Sequence, residues 1–174
     1  MSQSTTIRLR PGITNPNLWY PQRPSESNWQ RIRDTVMKRD NWTCAACGHR
    51  AKKWMNAHHL EESDDNRAEN LVPLCVACHA VMHFGRNLEL KVLEVWKSEI
   101  SQVDIVRRTR EGVKNGLSLA QIKTSLPLSP GPYPPDDLQY ANELTKGMGT
   151  APRVYLEEPL CAVFVNLTRW QIET

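Results

Sequence analysis

Long hydrophobic runs are missing from this 174-residue chain. The longest uninterrupted apolar stretch, residues 160–165, has six residues. A membrane-spanning helix needs roughly 18, so a membrane span is excluded. Residues 1–6 lack a basic segment followed by an apolar one, so no secretory signal is expected and a cytoplasmic location is. Internal repeats and low-complexity tracts are also missing. At 20.0 kDa the chain is too short for a barrel enzyme and long enough for one ordinary domain, or a small domain with appendages. Apolar residues at 40% and charged residues at 24% are ordinary for a packed soluble fold.

Net charge of one strong sign is lacking too, at +3 overall, but the charge is unevenly placed. Residues 1–60 carry ten Lys/Arg against three Asp/Glu, and the remainder carry twelve against sixteen. Trp19, Tyr20, Trp29, Trp42 and Trp54 are interleaved with the basic third. That mixture suits a polyanion, although a solvated basic face has the same composition.

Of five cysteines, four form two identical pairs, Cys44-Ala45-Ala46-Cys47 and Cys75-Val76-Ala77-Cys78. Two intervening residues let both thiolates of a knuckle reach one tetrahedral zinc at about 2.3 Å, and a reducing compartment disfavours disulfides. The four are therefore read as one closed structural Zn²⁺ site, with redox pairs or unrelated buried thiols as the competing reading. Gly48 ends the first knuckle, where a tight turn favours a residue that tolerates positive φ. The 27 residues between the knuckles exceed the usual spacing of a plain zinc ribbon, which predicts an inserted element clamped at its base. Cys161 lies alone in the apolar run and is read as a buried small hydrophobe.

All five histidines fall between residues 49 and 83. His58 and His59 sit in an extended-looking stretch, where neighbouring side chains point to opposite faces. One imidazole can then serve a metal while the other faces elsewhere. His79 and His83 are spaced i, i+4, which on a helix puts both rings on one face. Residues 70–74 suit a second short strand, and the polar stretch Glu61 to Arg67 a loop, so the segment reads strand, loop, strand, helix. Three histidine ligands, His58, His79 and His83, would leave coordination positions open for water and substrate. The competing reading puts His58 or His59 into a mixed zinc site. His49 is read as a residue beside the knuckle and not as a ligand.

The order Cys-x-x-Cys-Gly, His-His, then Asn-Leu-x-x-Leu-Cys-x-x-Cys-His-x-x-x-His over residues 29–84 resembles the HNH nuclease family with its ββα-metal finger. It is similar to the zinc-knuckle bacterial and phage members and to the catalytic domains of DNase colicins. The resemblance implies an α+β fold: a small ββα-metal (His-Me finger) core stapled by a four-cysteine zinc site, with flanking helices and a C-terminal strand-containing region. It further implies that His58, His79 and His83 bind a catalytic divalent ion, Mg²⁺, Mn²⁺, Ni²⁺ or Zn²⁺. His59 would be the general base on water, and Asn70 would brace the hairpin that orients His59. An imidazole with its ordinary pKa near 6.5 is matched to that task at neutral pH.

In the flanks, Ser27-Asn28 is expected to cap a helix with Trp29, Ile32 and Val36 on one face. Arg33, Lys38, Arg39, Lys52 and Lys53 are candidate phosphate contacts, with simple solvation as the alternative. Asn87 is expected to cap a helix running to about Ile100, with Leu88, Val92, Val95, Trp96 and Ile100 as its buried stripe. Residues 104–115 and 118–126 read as two helices. They form either a helix-turn-helix reading DNA through Arg107, Arg108, Arg110 and Lys114 or two packed helices with no reading role. Prolines at 127–135 suggest a stiff linker, Asp136-Asp137 a last helix ending near Gly147, and residues 153–170 strands.

The expected organisation is an irregular basic arm (1–26), a nuclease domain (27–100), a helical extension (101–126), a Pro-rich linker (127–135) and a C-terminal α/β region (136–174). The expected activity is metal-dependent hydrolysis of DNA phosphodiester bonds, with DNA as partner and a possible homodimer. The competing readings are a zinc-stapled DNA-binding module that does not cut, and a nuclease subunit dependent on a phage packaging or restriction partner.

Overall fold

The structure is a computed structural model that describes residues 5–16, 24–61 and 65–167. Trp19, Tyr20 and Trp170, and the middle of the polar loop at 62–64, lie outside the described residues.

A hairpin and the helix that follows it form the centre. β2 (Met55–His59) pairs antiparallel with β3 (Leu71–Cys75), in the register His58 opposite Val72 and His59 opposite Leu71. β3 is buried at every position and runs directly into α2 (Val76–Met82). Cys75 ends the strand and caps the helix, its sulfur accepting from the Cys78 N–H. Ahead of the hairpin, α1 (Glu26–Arg39) lays Val36 and Met37 into the core. Its N-cap is Ser25, two residues before the expected Ser27-Asn28, and the Ser25 hydroxyl accepts from Asn28 N–H. Mixed α/β structure with small antiparallel sheets around a buried four-cysteine cluster is thus what the chain forms.

The helix expected from Asn87 to Ile100 is not formed. Instead α3 (Phe84–Glu89) stops, Lys91 turns the chain at φ +57°, and residues 93–98 form β4 (Leu93–Ser98). The apolar residues at 88, 92, 95 and 96 fit a helical stripe, but Leu93-Glu94-Val95-Trp96 also alternates with period two. β-branched and aromatic content and the sheet partner decide for the strand. Asn87 is wholly buried, its amide donating to the carbonyls of Ala80 and His83 and so joining α3 to the end of α2.

β4 is the middle of a three-stranded sheet with β5 (Leu128–Ser129) and β7 (Leu160–Phe164). This sheet is a wall between two apolar clusters. Leu93, Val95, Ala162 and Phe164 face the main core, while Cys161 and Val163 face a second cluster with Ile105, Ile122 and Leu126. The second cluster is roofed by α4 (Gln102–Lys114) and α5 (Leu119–Ser125). A capping box at Ser118 and Gln121 starts α5. Gly112 lets the two helices close up, because a Cβ there would meet Ile122 Cγ1 at 2.5 Å.

The Pro-rich segment carries β5, and its Pro135 carbonyl accepts from Val95 N–H. α6 (Gln139–Lys146) follows, with Gly147 at its C-cap. β6 (Arg153–Tyr155) then pairs with β1 (Gly12–Thr14) from the other end of the chain. No helix among the described residues is long and apolar enough to cross a membrane.

Candidate metal centres

Two groups of side chains among the described residues bring metal-ligating atoms within 4.8 Å of one another: Cys44, Cys47, Cys75 and Cys78, and His58, His79 and His83. Both are held by α2, one at each end.

The four-cysteine centre closes the base of the hairpin. Cys44 N–H donates to the His49 carbonyl and Gly48 N–H to the Cys44 carbonyl, wrapping the first knuckle, with Gly48 at φ +78°. Ala45 N–H donates to the Pro73 carbonyl, which sets that knuckle against β3. All four sulfurs belong to buried residues. The Sγ atoms of Cys47 and Cys75 are 3.7 Å apart, against about 3.8 Å for the edge of a tetrahedron with 2.3 Å zinc–sulfur bonds. The donor set and spacing fit structural zinc.

Four like charges in a buried cluster cannot form unaided. Hydrogen bonding from Cys44, then Cys75 and Cys78, pulls the Cys47 thiol down, and the Arg110 charge adds to this. Hydrogen bonding with Cys44 and Cys47, and then burial, pushes Cys75 and Cys78 well above the usual thiol range. Arg110, on α4, donates from its two Nη atoms to Cys47 Sγ at 3.3 Å and Cys75 Sγ at 3.0 Å. Arg107 Nε donates to the Cys47 carbonyl at 3.2 Å. Two of the four cations considered for DNA reading on α4 are therefore turned onto the cysteine knuckles.

The histidine cluster lies at the other end of α2. His58 comes from β2, His79 from α2 and His83 from its C-cap. Their ring centroids are 5.6 Å (58–79), 5.7 Å (58–83) and 4.6 Å (79–83) apart. Burial, then the Arg153 charge and the other histidines, pushes His58 well below the usual imidazole range. Burial, then Arg86, brings His83 down to about 4. Both are thus kept in the neutral form that ligates metal. Three imidazoles converging from two elements can hold a divalent ion with positions left over.

His59 points away from this cluster, as strand alternation requires. Its Nε2 is 2.8 Å from Asn66 Oδ1, and its ring stacks on Trp29 of α1 with centroids 6.0 Å apart. Asn70 holds the loop instead of the ring. Its Oδ1 accepts from Glu61 N–H, and its Nδ2 donates to the carbonyls of Glu61 and Asp65. Asn66 was not singled out in the sequence, where a polar residue in a polar loop carries no spacing signal.

Of the candidate phosphate contacts, Arg33 and Arg39 are engaged within the fold. Arg33 donates to the Met55 carbonyl at 2.9 Å and lies over Trp42. Arg39 donates to the carbonyls of Ala68 and Leu71 at 2.7 Å each, and pairs with Asp40. They clamp α1 to β2 and β3. Lys38, Lys52 and Lys53 are exposed.

Compared with models of known protein families and with curated proteins, the chain matches none.

Proposed function

We propose that this chain is a metal-dependent endonuclease of the HNH type that hydrolyses DNA phosphodiester bonds. The observation that carries the reading is the division of labour between two adjacent strand residues. His58 joins the three-histidine cluster, and His59, on the opposite face, is tethered through Nε2 by Asn66 and supported by Trp29. A histidine held by one ring nitrogen with the ring stacked keeps its other nitrogen in a fixed direction. With Nε2 donating to Asn66 Oδ1, Nδ1 is the lone-pair nitrogen.

His59 Nδ1 takes the proton as a water oxygen bonds to phosphorus and the P–O3′ bond breaks. General-base catalysis of this kind contributes on the order of 10²–10⁴ in rate. A divalent ion on His58, His79 and His83 would supply positive charge to a non-bridging oxygen and to the departing alkoxide. Asn70 closes the loop that carries Asn66, and so sets the tether. Cys44, Cys47, Cys75 and Cys78 would hold a structural zinc at the base of the hairpin, which would replace the core that so short a segment cannot build. A module that only binds DNA needs neither a tethered base nor a second metal-ligating cluster.

The test is supercoiled-plasmid cleavage by the purified chain with Mg²⁺, Mn²⁺ or Ni²⁺, comparing wild type with His59→Ala. Metal-dependent nicking or linearisation that the variant loses, with zinc content unchanged, is the expected result. DNA bound but uncut under every metal would refute the nuclease reading in favour of a zinc-stapled binding module.

A further inference from the structure

No spacing signal ties residues 101–174 to the histidine cluster, yet a β-ribbon drawn from both ends of the chain lies against it. β1 and β6 pair with Thr14 opposite Arg153. That single cross-strand pair touches two of the three histidines. Arg153 Nη1 is 3.0 Å from His58 Nε2, and Thr14 Oγ1 is 3.4 Å from His83 Nδ1.

The approach is a built feature of the fold. A Cβ on Gly12 would stand 2.5 Å from the Met82 carbonyl oxygen, so a glycine is what lets β1 rest on the end of α2. Asn15, almost wholly buried, donates its amide to the carbonyls of Gly149 at 3.0 Å and Ala151 at 2.9 Å. Its backbone N–H donates to Pro152, which fixes the entry to β6, and Leu156 N–H donates to Pro11 at the exit. Within the ribbon, Arg10 stacks on the Tyr155 ring at 4.1 Å.

A guanidinium 3.0 Å from His58 Nε2 would stand beside a metal ion held by the three histidines, and like charges in a partly desolvated site repel. An oxyanion between the two attracts both. The planar guanidinium fork matches two oxygens of one phosphate group, which a lysine in its place would not. We propose that Arg153 is a substrate-binding residue that holds the non-bridging oxygens of a phosphodiester at the histidine cluster. The site is then assembled from the finger and the terminal ribbon together. Naming the anion a phosphodiester rests on the nuclease reading, whereas the anion site itself rests on the ribbon geometry.

The experiment uses the full chain loaded with Mn²⁺ and two probes, inorganic phosphate by titration calorimetry and supercoiled plasmid by steady-state cleavage. The variants are Arg153→Met, Arg153→Lys and, as a control cation on the same N-terminal segment, the exposed Arg8→Ala. Zinc content and thermal melting monitor folding. The expected result is a loss on the order of 100-fold in kcat/KM for Arg153→Met, with phosphate binding lost in parallel, while Arg8→Ala behaves as wild type. Arg153→Lys keeps the charge and the side-chain length, and an intermediate loss in that variant supports the proposal even if Arg153→Met does not fold. Cleavage and phosphate binding unchanged in both Arg153 variants would overturn the proposal and leave the nuclease reading standing. Phosphate binding that depends on Arg153 in a chain that cuts no DNA would keep the anion site and remove the nuclease reading.

Discussion

Replacing Arg110 with methionine should weaken zinc retention without unfolding α4. The side chain reaches from α4 across 63 residues of sequence to donate to Cys47 Sγ and across 35 to Cys75 Sγ. A zinc ion with four thiolates carries a net charge of about −2, and in a buried site part of that charge must be met by donors. Hydrogen bonds to charged groups contribute about 1.5–3 kcal/mol each, set against the cost of desolvating the guanidinium, which here is partly buried. Loss of partners just outside a metal's ligands typically lowers affinity about 10- to 100-fold, equivalent to about 1.4–2.7 kcal/mol. Methionine conserves most of the stem's packing, so the helix should stay in place. Competition against a chelator, followed with a metallochromic dye, gives the zinc affinity, and far-ultraviolet circular dichroism reports the helices. Arg110→Lys, able to make one of the two contacts, should fall between wild type and methionine. Zinc affinity unchanged in Arg110→Met would refute the view that the guanidinium stabilises the thiolates.

Asn66→Ala should cut plasmid cleavage on the order of 10²-fold by freeing the His59 ring while leaving zinc content untouched; cleavage at the wild-type rate would remove Asn66 from the positioning of the base. Gly112→Ala gains up to about 1 kcal/mol of helix propensity but forces Ile122 to move from a 2.5 Å approach, an overpacking cost of about 1–3 kcal/mol. A net loss of stability in urea melts is expected, and a raised midpoint would contradict it. Burial pushes the Cys161 thiol up to about 12 from an ordinary 9.0. The unfolded chain therefore gives up this proton at lower pH than the folded one, so stability is fully present below about pH 9 and falls as pH rises toward 12, by about 4 kcal/mol at most. Denaturation across that range should be steeper with pH in wild type than in Cys161→Ala, and equal slopes would refute the assignment.

Both metal-ligating clusters were legible because their members lie close along the chain. Cys-x-x-Cys spacing, and His79 to His83 on one helix, are local geometry that needs no knowledge of the fold. Alternation in β2 likewise separated His58 from His59. What could not be read is what arrives from elsewhere. Arg110 and Arg153 reach the two centres from 35 to 95 residues away, and an arginine in a helix or strand carries no mark of what it will face. Asn66 is hidden for a different reason, since its loop has many polar residues and only the closed loop selects one. The segment after Asn87 misleads because 88, 92, 95 and 96 satisfy a helical stripe while Leu93 and Val95 satisfy a strand alternation. Period alone does not decide so short a run, and the partner strand β7, more than 60 residues on, does.

The seven residues of α2 explain why the histidine centre depends on the cysteine centre. Such a helix is too short to be stable alone in water, and this one is held at both ends by chemistry, not by length. At its start Cys75 is at once a member of the cysteine cluster and the cap whose sulfur accepts the Cys78 N–H, so the cysteine centre and the first hydrogen bond of the helix share one side chain. At its finish the C-cap His83, with His79 one turn earlier, brings the histidine cluster to the negative end of the peptide dipoles, under the wholly buried Asn87 amide that holds the His83 carbonyl. Removing the thiolate cluster therefore removes the cap of the very helix that spaces His79 from His83. A Cys75→Ser chain should lose the histidine geometry along with the zinc, whereas a His83→Ala chain, whose cap is intact, should keep its zinc. Metal analysis of the two variants by mass spectrometry separates these outcomes, and zinc lost equally from both would show that the centres are not ordered along the helix in this way.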